Sequence, residues 1–156
     1  DGQVYLVNDN ENQSYVAAYN ASTDEELWRT DRDERSNWAT PFVWGNEIQT
    51  ELVTSGTGGV RSYGLNGELL WLLTGMSSLV IPTPFSKHGL LYINSGYVAD
   101  STRPVYAIRP GAAGDITLAE GTTSNNYIAW SHPQLGSTHR LLSMATTTTR
   151  YWTEAS

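Results

Sequence analysis

The chain has 156 residues and carries 16 acidic against 9 basic side chains, a net charge of −7. That sign argues against a duplex nucleic-acid binder, which needs cations to displace counterions, and against a polybasic membrane anchor. It has no cysteine, which excludes disulfides, thiolate metal sites and cysteine nucleophiles, and its longest apolar run, Leu69–Leu73, is far short of the ~20 residues that span a bilayer.

Asp1 opens the chain with no Met and no secretory signal, so the sequence reads as cut from a longer one. Gln3–Val7, Tyr15–Tyr19 and Glu26–Arg29 are short β-branched or aromatic runs bounded by Asn, Asp and Ser, and they predict three strands. Pro41–Trp44 follows as a fourth, with proline at the first residue of an edge strand. The grammar repeats in Glu47–Val53, Val60–Tyr63, Leu69–Leu73 and Pro84–Ser86, with a hairpin turn predicted at Asn66-Gly67. A third round holds Leu90–Asn94, Val105–Ile108 and Tyr127–Ser131. No segment keeps helical spacing for the ~10 residues that a helix needs. The third strand of each round carries a tryptophan.

Trp28 and Trp71 stand 43 residues apart, as do Pro41 and Pro84, each inside Thr-Pro-Phe. Four short antiparallel strands in such a period predict an all-β partial β-propeller of four-stranded blades. The expected units are 1–46, 47–88 and 89–133, the last lacking its fourth strand. Trp130 follows Trp71 by 59 residues; the excess falls in a polar, glycine-rich loop from Arg109 to Asn126, read either as a binding loop or as an ornament.

Ala18-Tyr19-Asn20-Ala21-Ser22-Thr23-Asp24-Glu25-Glu26-Leu27-Trp28 resembles the tryptophan-docking motif of quinoprotein-like propellers, Ala-x-Asp-x-x-Thr-Gly-x-x-x-Trp. Ala18, Thr23 and Trp28 match; Asn20 replaces the usual Asp and Asp24 the usual Gly. Ser62–Trp71 looks like a shortened copy with Gly67 and Trp71 in place, and Val105–Ile108 with Ile128–Trp130 looks like a third copy split by the insertion. The resemblance implies that Ala18, Thr23, Trp28, Gly67, Trp71 and Trp130 are structural blade-docking residues. It implies that both Trp28 and Trp71 are buried, and that the end sheets of a three-blade array expose apolar faces and unpaired edges. It further implies a periplasmic or extracellular setting and the remaining blades of a parent propeller as neighbours.

The expected function is a non-catalytic binding or scaffold module for a protein or polymer ligand. The alternative is a fragment of a pyrroloquinoline-quinone-dependent dehydrogenase, the only reading that brings a cofactor; relatives of that kind share a carboxylate and amide calcium site, a catalytic Asp and often adjacent cysteines. A sugar- or polymer-binding sensor is a third reading, resting on the Tyr and Trp content.

The remaining polar groups support no catalytic, cofactor or metal assignment. His88, His132 and His139 fall in different units at no ligand spacing, and His88 before Gly89 reads as a turn. Asn8-Asp9-Asn10-Glu11-Asn12 has oxygens at alternate positions but lacks the glycine and bidentate Glu of a calcium loop. Asp31-Arg32-Asp33-Glu34-Arg35 reads as a solvated charged loop. Asn12-Gln13-Ser14 and Asn20-Ala21-Ser22 are glycosylation sequons.

Residues 134–156 form an atypical tail. Four threonines, Thr146–Thr149, stand where the strand grammar should return. A one-base frameshift accounts for it: shifted codons across Met144-Ala145 and Trp152-Thr153 are forced to Gly and Asp, and the shifted frame permits the missing strand, a turn and the start of a next blade. A natural Thr-rich tail is the alternative. In either case the tail is expected to be irregular, with Tyr127–Ser131 the last native strand.

Overall fold

The computed structural model describes residues 2–97 and 99–135. They form twelve strands in three sheets, with no helix among the described residues. The tail beyond these residues, His139 and the frameshift reading lie outside them.

The first sheet holds β1 (Gln3–Asn8), β2 (Ser14–Asn20) and β3 (Glu26–Arg32) in that order. The second runs β4 (Phe42–Gly45), β5 (Thr50–Ser55), β6 (Val60–Gly64) and β7 (Leu69–Leu73); β11 (Gly114–Asp115) is added beyond β7. The third runs β8 (Phe85–Lys87), β9 (Leu90–Asn94), β10 (Val105–Ile108) and β12 (Ile128–His132). All pairings are antiparallel except β11 with β7.

The turns follow local chemistry. In the β6–β7 hairpin the Gly67 N–H donates to Gly64 O and Gly67 adopts φ 87°, which costs a residue without Cβ nothing. The β8–β9 hairpin closes Lys87 onto Leu90 through His88 and Gly89, both at positive φ, a type I′ turn. His88 is thus an exposed turn residue.

The sheets group the strands differently from the sequence reading. Phe42–Gly45 and Phe85–Lys87, expected to finish the preceding units, pair instead with the strands that follow them. The third sheet therefore has four strands, and the first is the one with three. In the second and third sheets the strand bearing Trp71 or Trp130 is the fourth made, not the third.

The strand registers of the three sheets superpose. Val4 opposite Tyr19, Leu52 opposite Tyr63, and Leu91 opposite Ile108 occupy one equivalent position. Leu6, Thr54 and Ile93 occupy the next position on the same face. In the second sheet this face packs on the first, in a cluster of Val16, Leu52 and Tyr63 with Tyr5, Val7 and Trp28. In the third sheet it packs on the second, in a larger cluster that joins Leu91, Ile93 and Ile108 to Val53, Val60, Trp71 and Leu73. In the first sheet the same face is open: Val4 is 54% and Leu6 43% exposed, whereas Leu52, Leu91 and Ile93 are at 0%.

Candidate functional site

The polar chemistry concentrates where the first and second sheets meet. β3 ends on Arg32, whose guanidinium is buried and forks onto Asp9, Nε to Oδ1 at 2.8 Å and the second terminal nitrogen to Oδ2 at 3.0 Å. Its other terminal nitrogen donates to Thr54 Oγ1 at 2.5 Å and Tyr63 Oη at 3.2 Å across the junction. Burial works against the charge, but the Asp9 hydrogen bonds, with Tyr63 and Glu34 nearby, raise the Arg32 pKa above its ordinary value. Two residues on, Glu34 is also buried; it pairs with Arg61 of the second sheet and accepts the Gly58 N–H at 2.7 Å. Added Cβ atoms at Gly56 and Gly58 would meet its carboxylate at 2.4 and 3.2 Å, so both glycines make room for it.

This corrects the reading of 31–35 as a solvated loop. Residues Asp31, Asp33 and Arg35 face water while Arg32 and Glu34 are buried, the period-two alternation of an extended strand. An open cleft of about 570 Å³ lies over the stretch, walled by Asn10–Ser14 and Asp31–Arg35. Its two buried charges are matched, Arg32 by Asp9 and Glu34 by Arg61, and Glu11 accepts from the Ser36 hydroxyl and N–H, hydrogen bonds that lower its pKa, while Asp31, Asp33 and Arg35 face water. The oxygen-rich loop from Asn8 to Asn12 is engaged in the same way. Asn10 Oδ1 accepts the Asn12 and Gln13 N–H groups, and Asp9 Oδ2 also accepts Asn37. Ser14 of the first sequon is buried, with its hydroxyl donating to Glu34 O.

The docking residues fall in two groups. Trp28 crosses between sheets: its indole N–H donates to Leu65 O at 2.8 Å, and the ring lies on Gly67, where an added Cβ would stand 2.7 Å from Cε3. Thr30 Oγ1 donates to Gly67 O beside it. Ala18 is buried directly opposite Trp28 in the sheet, while Thr23 is exposed and shapes the turn, its N–H donating to Asn20 Oδ1. Trp71 is fully buried, but its N–H stays within its own sheet and donates to Glu51 Oε2 at 2.8 Å. Trp130 is half-buried and tilted against Tyr92 of its own sheet, ring centroids 6.1 Å apart.

Sequence reasoning missed Glu51. This carboxylate is 0% exposed and is held by neutral donors: Trp71 Nε1, the Ser62 hydroxyl at 2.6 Å and Asn46 Nδ2 at 2.9 Å. Its only signal was an acid on the same strand face as Val53, an inward position.

A second cleft, about 240 Å³, lies between the β4–β5 and β8–β9 turns, with Trp44, Asn46, Glu47, Lys87, His88 and Pro110 around it. Among the described residues no three His, Asp or Glu side chains converge to hold a metal ion. They do not supply the carboxylate set that a quinoprotein calcium site would require. The arrangement pairs and buries Arg32 with Asp9 and Glu34 with Arg61 at a junction between sheets.

No protein-family model matches the chain, and no curated protein matches it.

Proposed function

We propose that the chain is part of a β-propeller and acts as a non-catalytic binding or scaffold module. The observation that supports this best is the repeated use of one sheet face: Leu52, Thr54 and Tyr63 against the first sheet, Leu91, Ile93 and Ile108 against the second. β4 and β8, the leading strands of two successive sheets, lie against each other, as they would around a common axis. In such an array loops collect on two rims, and a protein or polymer partner meets the rims. The periplasm or the extracellular space is the compartment that goes with this reading.

Two measurements test it. Small-angle scattering of the full chain should give a wedge of fanned sheets; a rod, as from a linear stack, overturns the propeller. Titration with pyrroloquinoline quinone and Ca²⁺ should leave tryptophan fluorescence without a saturable change. Saturable uptake accompanied by alcohol oxidation would replace this reading with the dehydrogenase one.

A further inference from the structure

The open face of the first sheet carries a substitution that its equivalents lack. In the second sheet the turn after β6 offers Gly67, and the Trp28 ring fills the space that a Cβ would take. The equivalent turn after β2 closes in the same manner: Asp24 N–H donates to Asn20 O as Gly67 N–H does to Gly64 O, and Asn20 N–H to Glu25 O as Gly64 N–H does to Glu68 O. Asp24 therefore stands in the place of Gly67, and it keeps the left-handed conformation, φ 59° against 87°. A side chain now occupies the space in which an indole would lie. Among the described residues no group bonds the Asp24 carboxylate. Arg29, the nearest cation along β3, is engaged by Glu26, by Tyr19 Oη and by the face of Tyr15 at 3.8 Å.

Among the described residues the edge beside this face is unpaired as well. β5 receives β4 and β9 receives β8, each through a short turn, whereas among the described residues β1 pairs only with β2. A strand added to β1 in the same geometry would be the one immediately preceding it on the polypeptide.

We propose that the Val4–Leu6–Tyr19 face docks a further sheet of the same repeat, carried in tandem ahead of β1, in which an arginine or lysine replaces the docking tryptophan and meets Asp24. Burial of Val4 and Leu6 drives the contact, and the Asp24 carboxylate selects a cation and rejects an indole at the slot. This rests on the repeat reading above and specifies the neighbour it calls for.

The test inserts a second copy of residues 3–46 ahead of Gly2 of the full chain, so that the copied Phe42–Gly45 strand can add to β1. It is made with the copied Trp28 intact and with the copied Trp28→Arg, each on the original Asp24 and on Asp24→Gly. The arginine form should melt in one transition about 2–4 °C above the tryptophan form on Asp24, and the order should reverse on Asp24→Gly. Hydrogen exchange should slow at the outward edge of β1 in the better-matched pairs. A docked copy whose tryptophan form is the more stable on Asp24 overturns the cation assignment and leaves the repeat reading standing. A copy that melts separately from the rest, with β1 exchanging as before, overturns the repeat reading itself. Concentration-dependent head-to-tail association of the unmodified chain, abolished by Trp130→Ala, would assign the face to a second copy and overturn the tandem occupant.

Discussion

The two junctions between sheets are built by different means. The first is closed by side chains reaching across: the Trp28 indole on Gly67, the Arg32–Asp9 fork under Thr54 and Tyr63, and Glu34 against Arg61. The second is apolar at its centre and is closed by backbone. The inserted loop turns back from the third sheet and lays Gly114–Asp115 alongside Trp71 and Leu72, with Ile116 N–H donating to Leu72 O and Ile116 buried. Thr74 N–H donates to Thr117 Oγ1, and Asn125 ties the loop's far end to Ile116 O. The loop clasps the second sheet. Where a clasp covers the tryptophan-bearing strand, the indole N–H can turn inward to Glu51. Where none does, it must find its partner on the next sheet, because a buried indole N–H without one is costly.

The largest loss should come at the clasped junction. Trp71→Ala removes a fully buried indole and takes a donor from buried Glu51, and should cost at least ~3–5 kcal/mol by denaturant unfolding. Arg32→Ala at the other junction should cost about 3–5 kcal/mol, because it strands the buried Asp9 carboxylate. The paired Asp9→Leu, Arg32→Met variant should recover most of that loss, separating the need for the charges from the need to match them. A paired variant as unstable as Arg32→Ala would show that the ion pair itself, rather than its balance, holds the junction.

How far the sequence carried this comparison depends on the residue. The long strands were legible as short β-branched or aromatic runs between turn residues, not from alternation, since β5 and β10 are buried on both faces, and the β6–β7 hairpin was legible from Asn66-Gly67. The grouping of strands into sheets was not. In a periodic chain the strand over 41–44 lies at one fixed spacing from both neighbours, and only the pairing of Phe42 with Val53 decides between them. β11 was invisible because two residues carry no period, and its partner lies some forty positions earlier. The burial of Arg32 and Glu34 was not legible, since all five residues of 31–35 are charged and only their partners Asp9 and Arg61, distant in sequence, allow it. Trp28, half-buried rather than buried, meets Leu65 O and Gly67 of the second sheet, whereas the destination of the Trp71 N–H depended on Glu51, an acid that hydropathy alone puts at the surface.

Smaller changes sharpen the contrast. Gly67→Ala forces a Cβ onto the Trp28 ring at φ 87° and should cost ~1–3 kcal/mol. Trp28→Phe keeps the stacking and loses only the bond to Leu65 O, about 1 kcal/mol. Both should speed hydrogen exchange at the first junction and leave Ile116 unchanged; faster exchange at Ile116 would mean that the junctions are coupled. The smallest effect is a pH dependence of the clasp. Hydrogen bonds from the side chain and backbone of Thr117 lower the pKa of Asp115 in the folded chain. Its contribution is therefore complete above the ordinary Asp range near ~3.9 and is lost as pH falls through the lowered folded value. The Thr117 amide should lose protection on acidification in the native chain, and Asp115→Asn should remove that dependence.

The parallel pairing of β11 with β7 also sets an order of events during synthesis. β7 leaves the ribosome with its outer edge bare, and the strand that covers it arrives only after the whole of β8, β9 and β10 has been made. At roughly 5–20 residues per second that interval lasts a few seconds, long on the scale of hairpin closure. Throughout it, Leu69–Leu73 offers an apolar, unpaired edge to any other nascent strand. The second sheet is the first to hold a complete antiparallel set, yet it is sealed only when β11 arrives, and slow codons ahead of Gly114 would lengthen its exposure.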